Sequence, residues 1–275
     1  YVSIDESFVG PGYLGNEFSA LTAGKPTFGI PYSVRGISLE GGLTVDKYKS
    51  QKTLLDDLDT AFEGFEKLDA PVRGLDRFGA QAHDIISAPS TRKAFDLEQE
   101  KPSESKRFGK HEFGQSLLLA ARLIEAGVRV VSVTFSDFDT HSSNFDRMRH
   151  LVPVVDHALA TLVADLGERG MLDDVLIVAW GEFGRTPQVN AKAGRDHWPR
   201  VSPGIMAGGG IRTGQVIGAT DKVAGEAIER PVHYQDVMAT MYEHLGLKPS
   251  ATTLEDTTGR PQYLCDIGRP IRELF

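Results

Sequence analysis

Two apolar runs that stop abruptly at polar loops constrain this chain more than any other feature. Val175-Leu176-Ile177-Val178-Ala179-Trp180 gives way to Gly181-Glu182-Phe183-Gly184-Arg185-Thr186-Pro187, and an earlier run at 128–135 gives way to Ser136-Asp137-Phe138-Asp139-Thr140-His141. A short apolar run bounded by turn residues reads as a buried strand. Between the two runs, Leu151, Val155, Ala158, Leu159, Leu162 and Leu166 recur at helical spacing, with Pro153 in the expected first turn and Gly170 at the expected close. Strand, helix, strand is a crossover unit. It predicts parallel strands whose carboxyl ends share one edge, where ligands bind in open α/β sheets. On that reading Asp139, His141, Glu182, Arg185, Asp196 and His197 converge on one pocket.

A chain of 275 residues, 40% hydrophobic and 25% charged, has an ordinary soluble composition and room for a sizeable core. A formal charge of -8 without a basic block argues against nucleic acid or an anionic membrane as the main partner, while leaving room for a small anion at a local Arg or metal cluster. The lone Cys265 excludes an internal disulfide framework and a cysteine zinc site. No apolar stretch has the length of a membrane span. Residue 1 is Tyr, so the chain is expected to be a trimmed, processed or fragmentary product.

Residues 1 to about 50 hold Gly, Pro and Ser without a sustained period and read as loops laid over another part of the fold. From 53 to about 100 the pattern is helical. Leu54, Leu55, Leu58, Phe62 and Phe65 share a face, a breaker follows at 69–74, and Phe78, Ala82 and Ile85 mark a second stretch. The expected division is a loop and helical cap region at 1–112, an α/β core at 113–247 and a turn-rich tail at 248–275. The core alternates a helix at 116–126 stopped by Gly127, a strand, a helix and a strand. A third strand near Gly204-Ile205-Met206-Ala207 and a helix at 234–245 before Gly246 complete it.

Carboxylates beside neutral imidazoles form the ligand sets of hydrolytic zinc, manganese or mixed dinuclear sites. Asp139 with His141, and Asp196 with His197, make two such pairs. The plainer reading is that each His bridges a loop and each Asp serves a turn or a helix cap. Arg185 has the fork to hold a sulfate or phosphate oxygen, and Glu182 can ligate a metal or orient that Arg; alternatively the two form an ion pair that holds the loop. His233 opens the last core helix and is a further candidate ligand. His157 and His244 lie on helices as surface or dipole-compensating groups, and His83, His111 and His150 show no partner pattern. There is no G-x-S-x-G elbow, no G-x-x-x-x-G-K-[ST] loop and no G-x-G-x-x-G after a strand.

The 181–187 loop, Gly194-Arg195-Asp196-His197-Trp198-Pro199, Gly208-Gly209-Gly210-Ile211, Gly218-Ala219-Thr220-Asp221 and Arg230-Pro231-Val232 together resemble the bacterial family labelled domain of unknown function 1501, which is related to sulfatases. Asp139-Thr140-His141 matches that family's W-D-T-H stretch, with Phe138 in place of Trp. The resemblance implies an alkaline-phosphatase-like (sulfatase-like) α/β sheet flanked by helices, export by a twin-arginine leader to the periplasm, and hydrolysis of sulfate or phosphate esters at a metal centre. It places Asp139 and His141 on one metal and Asp196 and His197 on another, with Arg185 and Glu182 in or beside the site. The ions would be divalent, up to two, drawn from Zn, Mn, Mg or Ca. The wider superfamily often uses D-x-x-x-H, a spacing that Asp137 has to His141, so the choice between Asp137 and Asp139 stays open here.

Two departures accompany the resemblance. The family's Gly-Gly-Pro-Ser and Asp-Thr-Phe-Asp region, near the first core strand and the nucleophile, has no counterpart in this chain, which is therefore expected to lack both. Its D-L-H-A-T in the last core helix is Asp236-Val237-Met238-Ala239-Thr240 here, and a thioether does not replace an imidazole on a hard metal. Either His233 substitutes from a turn away or the metal is held weakly. The leading expectation is an exported metal-dependent hydrolase acting on a small anionic ester, with the nucleophile outside this chain. The alternative is a non-catalytic envelope protein that binds sulfated or phosphorylated glycans or a partner subunit. Isomerase or mutase chemistry on the same scaffold is a third option.

Overall fold

The structure, a computed structural model, describes residues 1–5, 10–15, 18–34, 47, 50 and 88–275. They fall into two compact units, Tyr1–Thr134 and Phe135–Phe275. The helical faces expected at 54–65 and 78–85, and the breaker at 69–74, lie outside the described residues.

The first unit is built on three short strands, β1 (Val2–Ile4), β2 (Leu21–Ala23) and β3 (Val131–Val133), in the order β2-β1-β3. Both ladders are parallel, with Ser3 opposite Thr22 on one side and Ser132 on the other. The segment read as loops therefore contributes two strands. Val2, Ser3 and Ile4 are all buried, as suits the middle strand of a parallel sheet, and three residues without an exposed face carry no period-two pattern to announce them.

Among the described residues, helices α1 (Pro89–Phe95), α2 (Pro102–Arg107) and α3 (Glu112–Glu125) accompany this sheet. Every residue of α3 from Phe113 to Leu123 is buried, and Leu119, Ala120 and Leu123 pack with Val2, Ile4, Ala94 and Phe95. A helix buried all round must satisfy its polar side chains internally. Gln115 does so by donating to the carbonyls of Ser105 and Gly109, 2.8 Å each. Arg122 donates to the carbonyls of Ala94 (3.0 Å) and Lys93 (2.6 Å) at the end of α1 and pairs with Glu100.

The second unit opens with α4 (Asn144–Glu168), followed by β4 (Leu176–Trp180), a two-residue pair β5 (Gly184–Arg185) and β6 (His197–Trp198), and β7 (Gly204–Gly208). Pro153 lies well inside α4, not in its first turn. The first turns carry Asp146, Arg147, Arg149 and His150 and expose Phe145 and Val152, so no apolar stripe marks them in the sequence. A hairpin of β8 (Ala219–Thr220) and β9 (Ala227–Glu229), then α5 (Tyr234–His244), a hairpin of β10 (Thr253–Glu255) and β11 (Pro261–Tyr263), and a 3-10 turn at Arg272–Leu274 complete the unit. Ile271 and Leu274 of the tail are buried with Ile211, against Leu176, Met206 and Val237.

The strand at β7 falls where expected. Within the second unit β4 pairs antiparallel with β7, Val178 opposite Met206. The apolar run of β4 is half-buried, and Trp180 at its end is exposed. What brings the candidate residues together is therefore loop-to-loop bonding within the second unit.

Candidate metal centre

The loop at 139–141 is fixed by its middle residue. Thr140 is buried; its hydroxyl accepts from Asn144 Nδ2 at 2.5 Å and its carbonyl from Arg195 N at 3.0 Å. Asp139 and His141 on either side stay exposed. The start of α4 is bonded to the turn preceding Asp196: Ser143 N donates to Lys192 O and Asn144 N to Ala193 O. Asn190 organises that turn. Its Oδ1 accepts from the amides of Lys192 and Gly194, 2.9 Å each, and its Nδ2 donates to the carbonyl of His141 at 3.1 Å.

Glycine is required where these loops touch. A Cβ on Gly194 would stand 2.0 Å from the carbonyl carbon and oxygen of His141, and one on Gly184 would stand 1.9 Å from Val201 O. The two-residue ladder of β5 and β6 then sets Arg185 opposite His197.

The result is a near-equilateral triangle of donor atoms. His141 Nε2 lies 3.2 Å from His197 Nε2, and both lie 3.0 Å from Asp139 Oδ1. His141 Nδ1 lies 2.6 Å from Asp196 Oδ1, and a ring that donates from Nδ1 to this carboxylate can offer Nε2 to an ion in the triangle. Asp196 is held in turn by Asn190 Nδ2 at 3.3 Å, and its amide donates to Thr186 Oγ1 at 3.1 Å. Phe183 packs its ring against His197, centroids 4.3 Å apart.

The electrostatics favour anionic carboxylates. Hydrogen bonds from Arg185 first and His197 second hold the Asp139 carboxyl down to about 2. The bond to His141, then that to Asn190, lowers Asp196. Arg185 donates to Asp139 Oδ1 at 2.5 Å, while its contact with Glu182 is 3.9 Å and Glu182 is largely exposed.

Asp137 and His233 stand apart from this group. Asp137, at a left-handed φ of 79°, pairs with Arg147 at 3.2 Å. His233 caps α5: its Nδ1 accepts from Gln235 N at 3.2 Å, and the His233 amide donates to the Asp236 carboxylate at 2.9 Å, a reciprocal capping box. Of the two carboxylates left open by the sequence, Asp139 is the one that faces the imidazoles. Trp198 is anchored by donating from Nε1 to Gly225 O at 2.7 Å, and Cys265 is buried, its thiol pushed up by that burial.

The model of a family described as a protein of unknown function (DUF1501) matches residues 1–275. The chain belongs to this family. No curated protein and no solved structure matches it.

Three features of this DUF1501 chain escape a reading of its sequence. Asn190 lies outside every motif and only its Asx-turn spacing to Gly194 hints at it, while the 181–187 motif does not announce what Thr186 and Phe183 hold. The sequence pairs each Asp with the His nearest to it. The structure instead gathers Asp139, His141 and His197 as one group and puts Asp196 behind His141, because the tautomer of His141 is set from its far side. Among the described residues this is one group, where the sequence suggested two pairs. No helix among the described residues is long and apolar enough to cross a membrane.

Proposed function

We propose that this DUF1501 protein binds a divalent transition metal through Asp139, His141 and His197 and, in its full-length form, hydrolyses sulfate or phosphate esters. The observation that carries the reading is the triangle of donors with edges of 3.0, 3.0 and 3.2 Å. Ligands about 2.1 Å from one ion stand about 3.0 Å apart in an octahedral arrangement and about 3.4 Å apart in a tetrahedral one. The observed edges lie within that span. Two imidazoles favour zinc or manganese over magnesium or calcium, which prefer oxygen.

A bound ion would supply Lewis acidity toward an ester oxygen. The chain's own residues divide the remaining work. Asp196 fixes the tautomer and direction of His141; Arg185 positions Asp139 and has further guanidinium donors for the oxygens of a sulfuryl or phosphoryl group. An alkaline-phosphatase-like fold and export to the periplasm belong to the same proposal, as does a nucleophile supplied from outside this chain.

A second reading, a non-catalytic protein that binds anionic glycans or a partner subunit, draws support from α5. His233 is spent on its cap and Met238 lies within it, so this helix gives no imidazole to the group. Elemental analysis of the purified full-length protein, beside a His141→Ala/His197→Ala variant, separates the two. Stoichiometric metal lost in the variant, with turnover of an aryl sulfate or aryl phosphate, is the expected result. Absence of metal in both proteins after supply of zinc and manganese would overturn the hydrolase reading.

A further inference from the structure

The two imidazoles of the Asp139 group are held in different ways. Behind His141 stands Asp196, 2.6 Å from Nδ1, and Asn190 Nδ2 lies 3.3 Å from that carboxylate in turn. His197 has no such support. Among the described residues, every hydrogen bond to its ring is made at Nε2, with Asp139 Oδ1 at 3.0 Å and His141 Nε2 at 3.2 Å. Both of those neighbours are members of the triangle itself, so neither holds the ring from outside it. A histidine on a metal ordinarily has its second nitrogen bonded to a carboxylate, a carbonyl or water, and that bond sets the direction of the ring.

The ladder of β5 and β6 fixes the backbone of His197 but leaves its two side-chain torsions open, and the side chain is half exposed. What stands against it is Phe183, with ring centroids 4.3 Å apart and planes inclined at 42°. That is closer than the 4.9 Å between the His141 and His197 rings. Phe183 immediately precedes β5 and His197 opens β6, so the pairing of buried Gly184 with Trp198 brings the two side chains alongside. The Arg185 guanidinium lies 5.5 Å from the Phe183 centroid, but it has an anchor of its own on Asp139.

We infer, on the metal reading given above, that Phe183 is the positioning residue of His197 and does by packing what Asp196 does for His141 by hydrogen bonding. A ring face against the imidazole blocks rotamers that turn Nε2 out of the triangle, so less side-chain freedom is lost when an ion arrives. Taken as an aromatic pair, the contact changes an equilibrium by about two- to tenfold. An outer hydrogen-bond partner changes metal affinity by about 10- to 100-fold. The centre therefore has one imidazole fixed from behind and one held more softly from the side.

Zinc affinity of the full-length protein, read by competition with a chromophoric chelator, tests this role. Phe183→Leu keeps an apolar side chain but loses the ring face, and should weaken zinc binding by about fivefold. Phe183→Tyr restores the face and should stay within about twofold of the wild type. In a His197→Ala background, read against a weaker chelator, Phe183→Leu should cost less than about twofold, because the ring that it positions is gone. General damage to the 181–187 loop would instead carry the full loss into that background. Zinc bound equally well by the wild type and Phe183→Leu would overturn the role of Phe183 while leaving the metal reading intact, as would a loss that persists without His197 or that Tyr does not restore. A wild-type protein that takes up no zinc would overturn the metal reading and the role of Phe183 with it.

Discussion

Removing Asp196 tests whether the centre is one group oriented from behind or two separate pairs. Its Oδ1 accepts from His141 Nδ1 at 2.6 Å, and no other carboxylate is bonded to that nitrogen among the described residues. Loss of such an outer partner of a ligating histidine weakens metal binding by about 10- to 100-fold. Both partners are about half exposed, with side-chain accessibilities of 48% for His141 and 53% for Asp196, so solvent screens the charge. An Asn carbonyl can still accept from Nδ1 and preserve the tautomer. Asp196→Asn should therefore fall near the tenfold end, and Asp196→Ala, which also frees the ring to change tautomer, nearer the hundredfold end. Competition of each purified variant with a chromophoric zinc chelator at neutral pH measures this directly, with His141→Ala as the reference for a lost ligand. Unchanged affinity in Asp196→Ala would refute the orienting role. A loss in Asp196→Asn as severe as in His141→Ala would make Asp196 a ligand in its own right.

Other outcomes follow from the same geometry. Gly194→Ala drives a methyl into the His141 backbone and should abolish metal uptake, whereas Asp137→Asn, which loses only its pairing with Arg147, should leave uptake within about twofold; the same chelator competition reads both. Arg122→Ala leaves Glu100 and two carbonyls of α1 without their buried donor, and urea denaturation should show a loss of about 3–5 kcal/mol, with Arg122→Met less damaging. The Arg230 fork lowers the Glu273 carboxyl from its ordinary 4.5 to about 2, so the pair is complete above about pH 4.5 and its contribution is lost as pH falls toward 2. The protection of the Arg212 amide, bonded to Leu274 O at 2.7 Å, relative to its intrinsic exchange rate should fall over that window and at neutral pH in Glu273→Gln. An amide whose exchange is indifferent to both would show that the tail is held by Ile271 and Leu274 alone.

Legibility in the sequence tracked the length of each pattern. α3 and α5 were readable from apolar spacing and their closing glycines, Gly127 and Gly246, and β7 from its apolar run. β1 and β2 were not, because three buried residues display no alternation. The start of α4 was hidden by a solvated first stretch that buries little except Asn144. At the candidate centre the residue types gave the chemistry, and Asp139, His141, Asp196 and His197 do meet. Their roles were not readable, since which nitrogen of His141 faces which carboxylate depends on how Asn190, Thr140 and Gly194 join loops that lie some fifty residues apart in the sequence.

The central position of β1 also sets a timetable for synthesis. Val2, Ser3 and Ile4 leave the ribosome well before one of their two neighbours, Val131 to Val133, which is made over a hundred residues later. At about 5–20 residues per second that is a wait of roughly 6–25 s, during which an apolar strand edge is open to any passing chain. Expression yield of this protein should therefore depend on holdase chaperones that occupy the nascent β1 segment until β3 arrives.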